Sequence, residues 1–199
     1  MFDLAANAVS QAAENASNLG ADPSKGFLVG GTSAGGNIAA TIAHLARDEK
    51  LSPPLTGCHL MIPAICNIDA LPEKYMKDQH SWEQNKNAAI LSRKACDLFW
   101  DCYVPESERD NELFSPLVFK TGHADLPPHY LQICGADPLR DEALIYEKVL
   151  REEEGLSTKV DVYPGLPHGF WSVFPTIESS KRFVEESVKG VQWLLEQKA

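Results

Sequence analysis

Between residues 2 and 19 the apolar side chains fall at Phe2, Ala5, Val9, Ala12, Ala16 and Leu19, three or four residues apart. That spacing predicts an amphipathic helix. The stretch GADPSK then reads as a turn, and residues 26–31 as a short, almost wholly apolar strand. A second helical period begins near Ser33 and runs to about Arg47, with Ile38, Ile42 and Leu45 on one face. The breaker SPPL separates it from a second buried-type strand over residues 57–62. Strand, helix and strand at this crossover length favour parallel pairing.

Residues 63–116 break the rhythm: they are rich in Asn, Lys, Asp and Glu, yet hold Trp82, Phe99, Trp100 and Tyr103. Ser92 is placed to cap a helix running to about Asp101. The segment reads as an insertion, its aromatics turned to a cleft or packed as an ordinary helical excursion. The strand pattern resumes over residues 129–135, and DPLRDEALIYEKVLREEEG follows as a helix with an acidic first turn and Gly155 as terminator. Residues 159–163 form a further strand. Residues 176–196 predict a closing amphipathic helix, with Phe183, Val184, Val188, Val191 and Leu195 spaced for docking. The expected architecture is one α/β domain over residues 1–199. It has about four mostly parallel strands, helices on both faces, and an insertion after the second strand.

Composition narrows the partners. The chain has 199 residues, of which 44% are apolar and 23% charged, with a formal net charge of −10. An acidic chain with no basic stripe does not suit nucleic acid, whose phosphates are met mainly by Lys and Arg. No apolar run approaches the length of a membrane span. The opening MFDLAANAVS has no basic segment and does not read as a signal peptide. Cys58, Cys66, Cys96, Cys102 and Cys134 are odd in number and form no CxxC pair. This predicts reduced thiols and a cytoplasmic location. No His, Cys or Asp grouping has metal-ligand spacing, so no metal or other cofactor is expected.

Gly31-Thr32-Ser33-Ala34-Gly35 fits G-x-S-x-G, set between an apolar strand and a helix. A nucleophile elbow needs small neighbours around a strained serine, and Gly31, Ala34, Gly35 and Gly36 supply them. The plainer alternative is a glycine-rich turn with Ser33 as an N-cap. GGTSAGGN lacks both the Gly-Lys-Ser/Thr ending of a phosphate loop and the G-x-G-x-x-G order. A serine nucleophile needs a base and an orienting carboxylate. Asp137 lies just past the strand ending at Gly135, and His168 just past the strand ending near Tyr163, both on carboxyl-end loops. The order Ser33, Asp137, His168 is that of the α/β-hydrolases.

GGTSAGGN, GADPLRDEA and PHGF together make the chain similar to the hormone-sensitive-lipase-like branch of the α/β-hydrolases, especially its fungal carboxylesterases. The resemblance runs through essentially the whole chain. It implies Ser33 as nucleophile, Asp137 as acid, His168 as base and the Ala34 amide as one oxyanion donor. It also implies short- to medium-chain carboxylic esters as substrates, under a cap made partly from residues 63–116. Two departures stand out. Thr32 occupies a place where the family usually has Asp. The family's upstream HGGG-type segment, which supplies the other oxyanion donors, has no counterpart before Ser33, and residues 1–25 leave no room for the family's early strands. The expected fold is therefore a truncated α/β-hydrolase with its nucleophile strand open along one edge. Two functions compete: a serine esterase, with amide substrates also open to the same triad, or a weakly catalytic homologue that self-associates or accepts a complementing chain at that edge. Trp82, Phe99, Trp100, Phe170 and Trp171 are the candidates for an apolar substrate pocket.

Overall fold

A computed structural model describes residues 2–197, with side chains from Ala5 onward. Four strands, β1 (Leu28–Thr32), β2 (Gly57–Met61), β3 (His129–Cys134) and β4 (Thr158–Tyr163), lie side by side in chain order. All three pairings are parallel. Leu28 faces Gly57 and Thr32 faces Met61, so β1 and β2 end level with each other. Cys134 and Tyr163 are likewise paired at the carboxyl ends of β3 and β4.

The helices follow the apolar periods. They are α1 (Phe2–Glu14), α2 (Ala34–Asp48), α3 (Glu73–Met76), α4 (Ser81–Gln84), α5 (Arg93–Tyr103), α6 (Arg140–Lys148), α7 (Phe170–Val173) and α8 (Glu178–Glu196). α1 is shorter than its period, and past its end Asn15 Nδ2 donates to the Gln11 carbonyl. Ser92 caps α5, its side chain accepting from the Ala95 amide. α6 runs on through a π-helical turn, Val149–Glu153, and ends where Gly155 takes φ 68 and the Leu156 amide returns to the Leu150 carbonyl. α3, α4 and α7 are single turns, too short for hydrophobic periodicity to mark.

Strand residues alternate between two helix layers, as the pleat requires. Cys58, Leu60, Leu131 and Ile133 pack with Ala39 and Ala43 of α2 and with Tyr146 and Leu150 beyond them. The opposite face is partly polar and meets α8: Gln132 Nε2 donates to the Phe183 carbonyl, and the Tyr130 hydroxyl to the Glu186 carbonyl.

That polar face corrects the expected docking stripe of α8. Its buried residues are Ser180, Phe183, Gly190 and Leu194, whereas Val184, Val188 and Leu195 are exposed. Ser187 Oγ donates to Gln132 Oε1, and the Tyr130 ring lies where a Cβ on Gly190 would fall, 1.9 Å from Cε1. Hydrogen bonding and one close approach therefore set the helix rotation, and a row of valines does not.

Candidate active site

β1 ends at Thr32 and α2 begins at Ala34, so Ser33 alone makes the turn. Its φ of 56° and ψ of −117° put a non-glycine residue in a backbone region that strains an L side chain. Three backbone bonds hold it there. The Ser33 amide donates to the Met61 carbonyl at 2.8 Å, and the Ser33 carbonyl accepts from Asn37 at 3.0 Å and Ala64 at 3.4 Å. The Ser33 side chain makes no capping bond, so the plain N-cap alternative does not describe it. The turn is tight: a Cβ on Gly31 would lie 2.1 Å from the Gly35 carbonyl oxygen, which is backbone and cannot swing aside. Gly31→Ala is therefore expected to lower stability by about 1–3 kcal/mol, as overpacked sites do. Urea unfolding of the variant beside the native chain measures this, and an unchanged midpoint would contradict the packing described.

Asp137 and His168 arrive from the loops after β3 and β4. His168 Nε2 is 2.9 Å from Ser33 Oγ, and His168 Nδ1 is 2.6 Å from Asp137 Oδ2. The other oxygen, Asp137 Oδ1, accepts the Leu139 amide at 3.0 Å. Asp137 is almost fully buried and His168 nearly so. With Nδ1–H donating to the carboxylate, Nε2 is free to accept the serine proton.

A network the sequence did not announce braces the Asp137 loop. Asn85 Nδ2 donates to the Asp137 carbonyl, Ser81 Oγ to the Pro138 carbonyl, and Arg140 Nη1 to the Gly135 carbonyl. Asp141 Oδ2 accepts the His80 and Ser81 amides at 2.8 and 2.7 Å. Burial would raise the Asp141 pKa, but Arg140 and those amides hold it below the usual carboxylate value. In the sequence Asp141 and Glu142 read as ordinary acidic residues of a helix first turn. In the structure both are buried and reach across to the segment between β2 and β3.

Ser33 and His168 open into a cavity of about 560 Å³. Ala34 lines it beside Ser33, with Phe99 and Trp100 of α5 on the wall. Of the five aromatics expected there, only these two are in that wall. Trp82 lies behind Trp100, their rings stacked at 4.9 Å. Phe170 is fully buried against Tyr163 and Phe183, and Trp171 stacks on Phe183 at 3.6 Å. These last two anchor α7 and α8 behind the His168 loop. Ile38, Leu91 and Phe114 line the cavity instead. Thr32 lies outside it, its hydroxyl directed to Met61 Sδ at 3.6 Å.

The sequence pattern of the alpha/beta hydrolase fold matches residues 1–172. The chain belongs to the alpha/beta hydrolase family. An AB hydrolase superfamily protein of Schizosaccharomyces pombe is 42% identical to this hydrolase chain over 183 residues, covering 92% of it and 53% of the relative. A versiconal hemiacetal acetate esterase of Dothistroma septosporum is 39% identical over 188 residues, covering 94% of this chain and 56% of the relative. Among solved structures, vibralactone cyclase superposes with a TM-score of 0.91 at 39% identity, over 96% of this chain and 55% of that one. The chain thus spans about half the length of the curated relatives it matches.

Proposed function

We propose that this hydrolase-family chain carries the serine, base and acid of a carboxylic-ester hydrolase. The observation behind it is the unbroken line from Ser33 Oγ through the His168 ring to Asp137, set on a strained strand-to-helix turn. In the mechanism, His168 Nε2 takes the Ser33 proton as Oγ attacks the ester carbonyl. Asp137 holds the ring with Nδ1 protonated and balances the imidazolium that forms. The Ala34 amide, in the unpaired first turn of α2, faces the developing oxyanion. The alcohol leaves with the proton from His168, and water activated by the same nitrogen releases the acid. Short- to medium-chain esters suit the volume and apolar wall of the cavity, with residues 63–116 as its cap. A cytoplasmic setting suits the five free thiols.

An alkyl fluorophosphonate is expected to label one serine per folded chain, with Ser33 identified by peptide mapping and the label lost in Ser33→Ala. Absence of labelling in folded protein would end this reading.

A second reading rests on a different observation. β1 pairs with β2 on one side only, and no other described strand covers its far edge. An open edge beside apolar surface favours a second copy or a complementing chain. On that reading the chain sediments as an oligomer and hydrolyses p-nitrophenyl esters near background. A monomer with ordinary turnover would discard it.

A further inference from the structure

Glu142, on the first turn of α6, is the one carboxylate among the described residues lining the cavity, and it is 3% exposed. Its Oε1 accepts the Ile65 amide at 2.7 Å and the Cys66 amide at 3.3 Å. Its Oε2 has no hydrogen-bond partner among the described residues. Among the described residues the ionisable groups around it are Asp137 and Asp141 from its own loop and helix, Cys66 after β2, Cys96 on α5, and Tyr103 and His168 on the cavity wall. Burial, with the two aspartates adding to it, pushes the Glu142 carboxyl up to about 8. A neutral carboxyl carries one O–H. Oε1 already receives two N–H groups, so the proton belongs on Oε2, and the acid becomes a donor.

Asn67 stands one residue beyond Cys66 and also lines the cavity. It is 2% exposed; its Oδ1 accepts the Asp69 amide, while its Nδ2 is buried with no partner. Asn67 Nδ2 is sealed from the cavity, so the mostly apolar wall presents one donor without an acceptor, Glu142 Oε2. Unpaired buried donors are rare in folded proteins, and a ligand oxygen is one way to satisfy them.

We propose that Glu142 determines specificity: from the cavity wall it binds a keto, ether or hydroxyl oxygen on the ester arm that fills the cavity. Oxygen-bearing esters are then preferred over plain alkanoates. This deepens, and rests on, the reading of Ser33 as the esterase nucleophile. A site built to hydrogen-bond a substrate oxygen discriminates against the analogue without it, because the site's own polar groups are then stranded.

The test compares p-nitrophenyl hexanoate with its oxo analogues, the keto group moved one carbon at a time along the acyl chain. At neutral pH the best oxo ester is expected to exceed the alkanoate about tenfold in kcat/KM. Above about pH 8 that ratio falls severalfold, because an ionised Glu142 no longer donates. Taking a ratio cancels the titration of His168, which both esters share. Glu142→Gln keeps an acceptor for the two amides and a donor for the cavity, so its preference is retained and no longer varies with pH. Glu142→Met loses the preference. Calorimetric titration of Ser33→Ala with the same pair reads the preference in binding alone, so failure of hydrolysis would count against the nucleophile and leave this inference still decided. A ratio near one for every analogue, a native ratio indifferent to pH, or Ser33→Ala binding both esters equally or neither would overturn it.

Discussion

Asp137→Asn is expected to lower ester hydrolysis by about 10⁴-fold while the chain stays folded. The reason lies in which atoms the carboxylate faces. Oδ1 takes the Leu139 amide and Oδ2 takes His168 Nδ1. In the variant the amide oxygen keeps the Leu139 bond, so the NH₂ group is left facing the ring. Two donors cannot share a bond, and the ring answers by moving its proton to Nε2. That nitrogen then donates to Ser33 Oγ where it should accept, and the serine has no base. The loss corresponds to about 5.5 kcal/mol of transition-state stabilisation at 1.36 kcal/mol per decade. The measurement is kcat on p-nitrophenyl butyrate together with the rate of fluorophosphonate labelling, with circular dichroism to confirm the fold. Activity within tenfold of native would remove Asp137 from the mechanism and leave it a loop brace.

The parts legible in the sequence are those written in short range. Ser33, Asp137 and His168 each follow a strand directly, and a parallel sheet gathers its carboxyl ends at one rim, so chain order alone brings them together. Ser92 capping α5 and Gly155 ending the α6 segment are equally local. What long-range packing decides was not legible. Trp82, Phe99, Trp100, Phe170 and Trp171 have similar apolar character in the sequence. Yet Phe99 and Trp100 face the cavity, Trp82 lies behind Trp100, and the last two pack under α8. The rotation of α8 depends on Gln132 and Tyr130, some fifty residues away, which no helical period encodes. Glu142 was hidden by a plausible local role, a first-turn acid favoured by the helix dipole. Its actual partners are the Ile65 and Cys66 amides.

Buried histidines, together with Glu142, shape stability against pH. His44 Nδ1–H donates to the Ala40 carbonyl, His44 Nε2 meets His123 Nδ1 at 2.9 Å, and His123 Nε2 faces the Leu117 carbonyl at 3.1 Å. This pair holds at most one added proton, since a second would set two N–H groups against each other. His129 is fully buried, and burial pushes it down to about 4. In the unfolded chain all three titrate near 6.5. Below pH 6.5 the unfolded state therefore binds at least two more protons at these sites, and stability falls as pH falls. Each missing proton is worth 1.36 kcal/mol per pH unit, or about 4 kcal/mol for two by about pH 5. Glu142 acts in the opposite sense. Its folded carboxyl titrates near 8 and its unfolded one near 4.5, so the folded state holds an extra proton across that window. Lowering pH from about 8 to 6.5 then adds about 2 kcal/mol, and lowering it to about 5 adds a similar amount. His59, also lowered by burial, adds to the acid side, so the sum peaks near pH 6.5, loses about 2 kcal/mol toward pH 8 and more than that toward pH 5. Urea unfolding at pH values of about 5, 6.5 and 8 measures all three points. Glu142→Gln should flatten the alkaline limb and steepen the acid one, because only the histidines then remain to titrate in this range. A stability that rises or falls steadily through pH 6.5 would show that these histidines and Glu142 are not held in the buried states described.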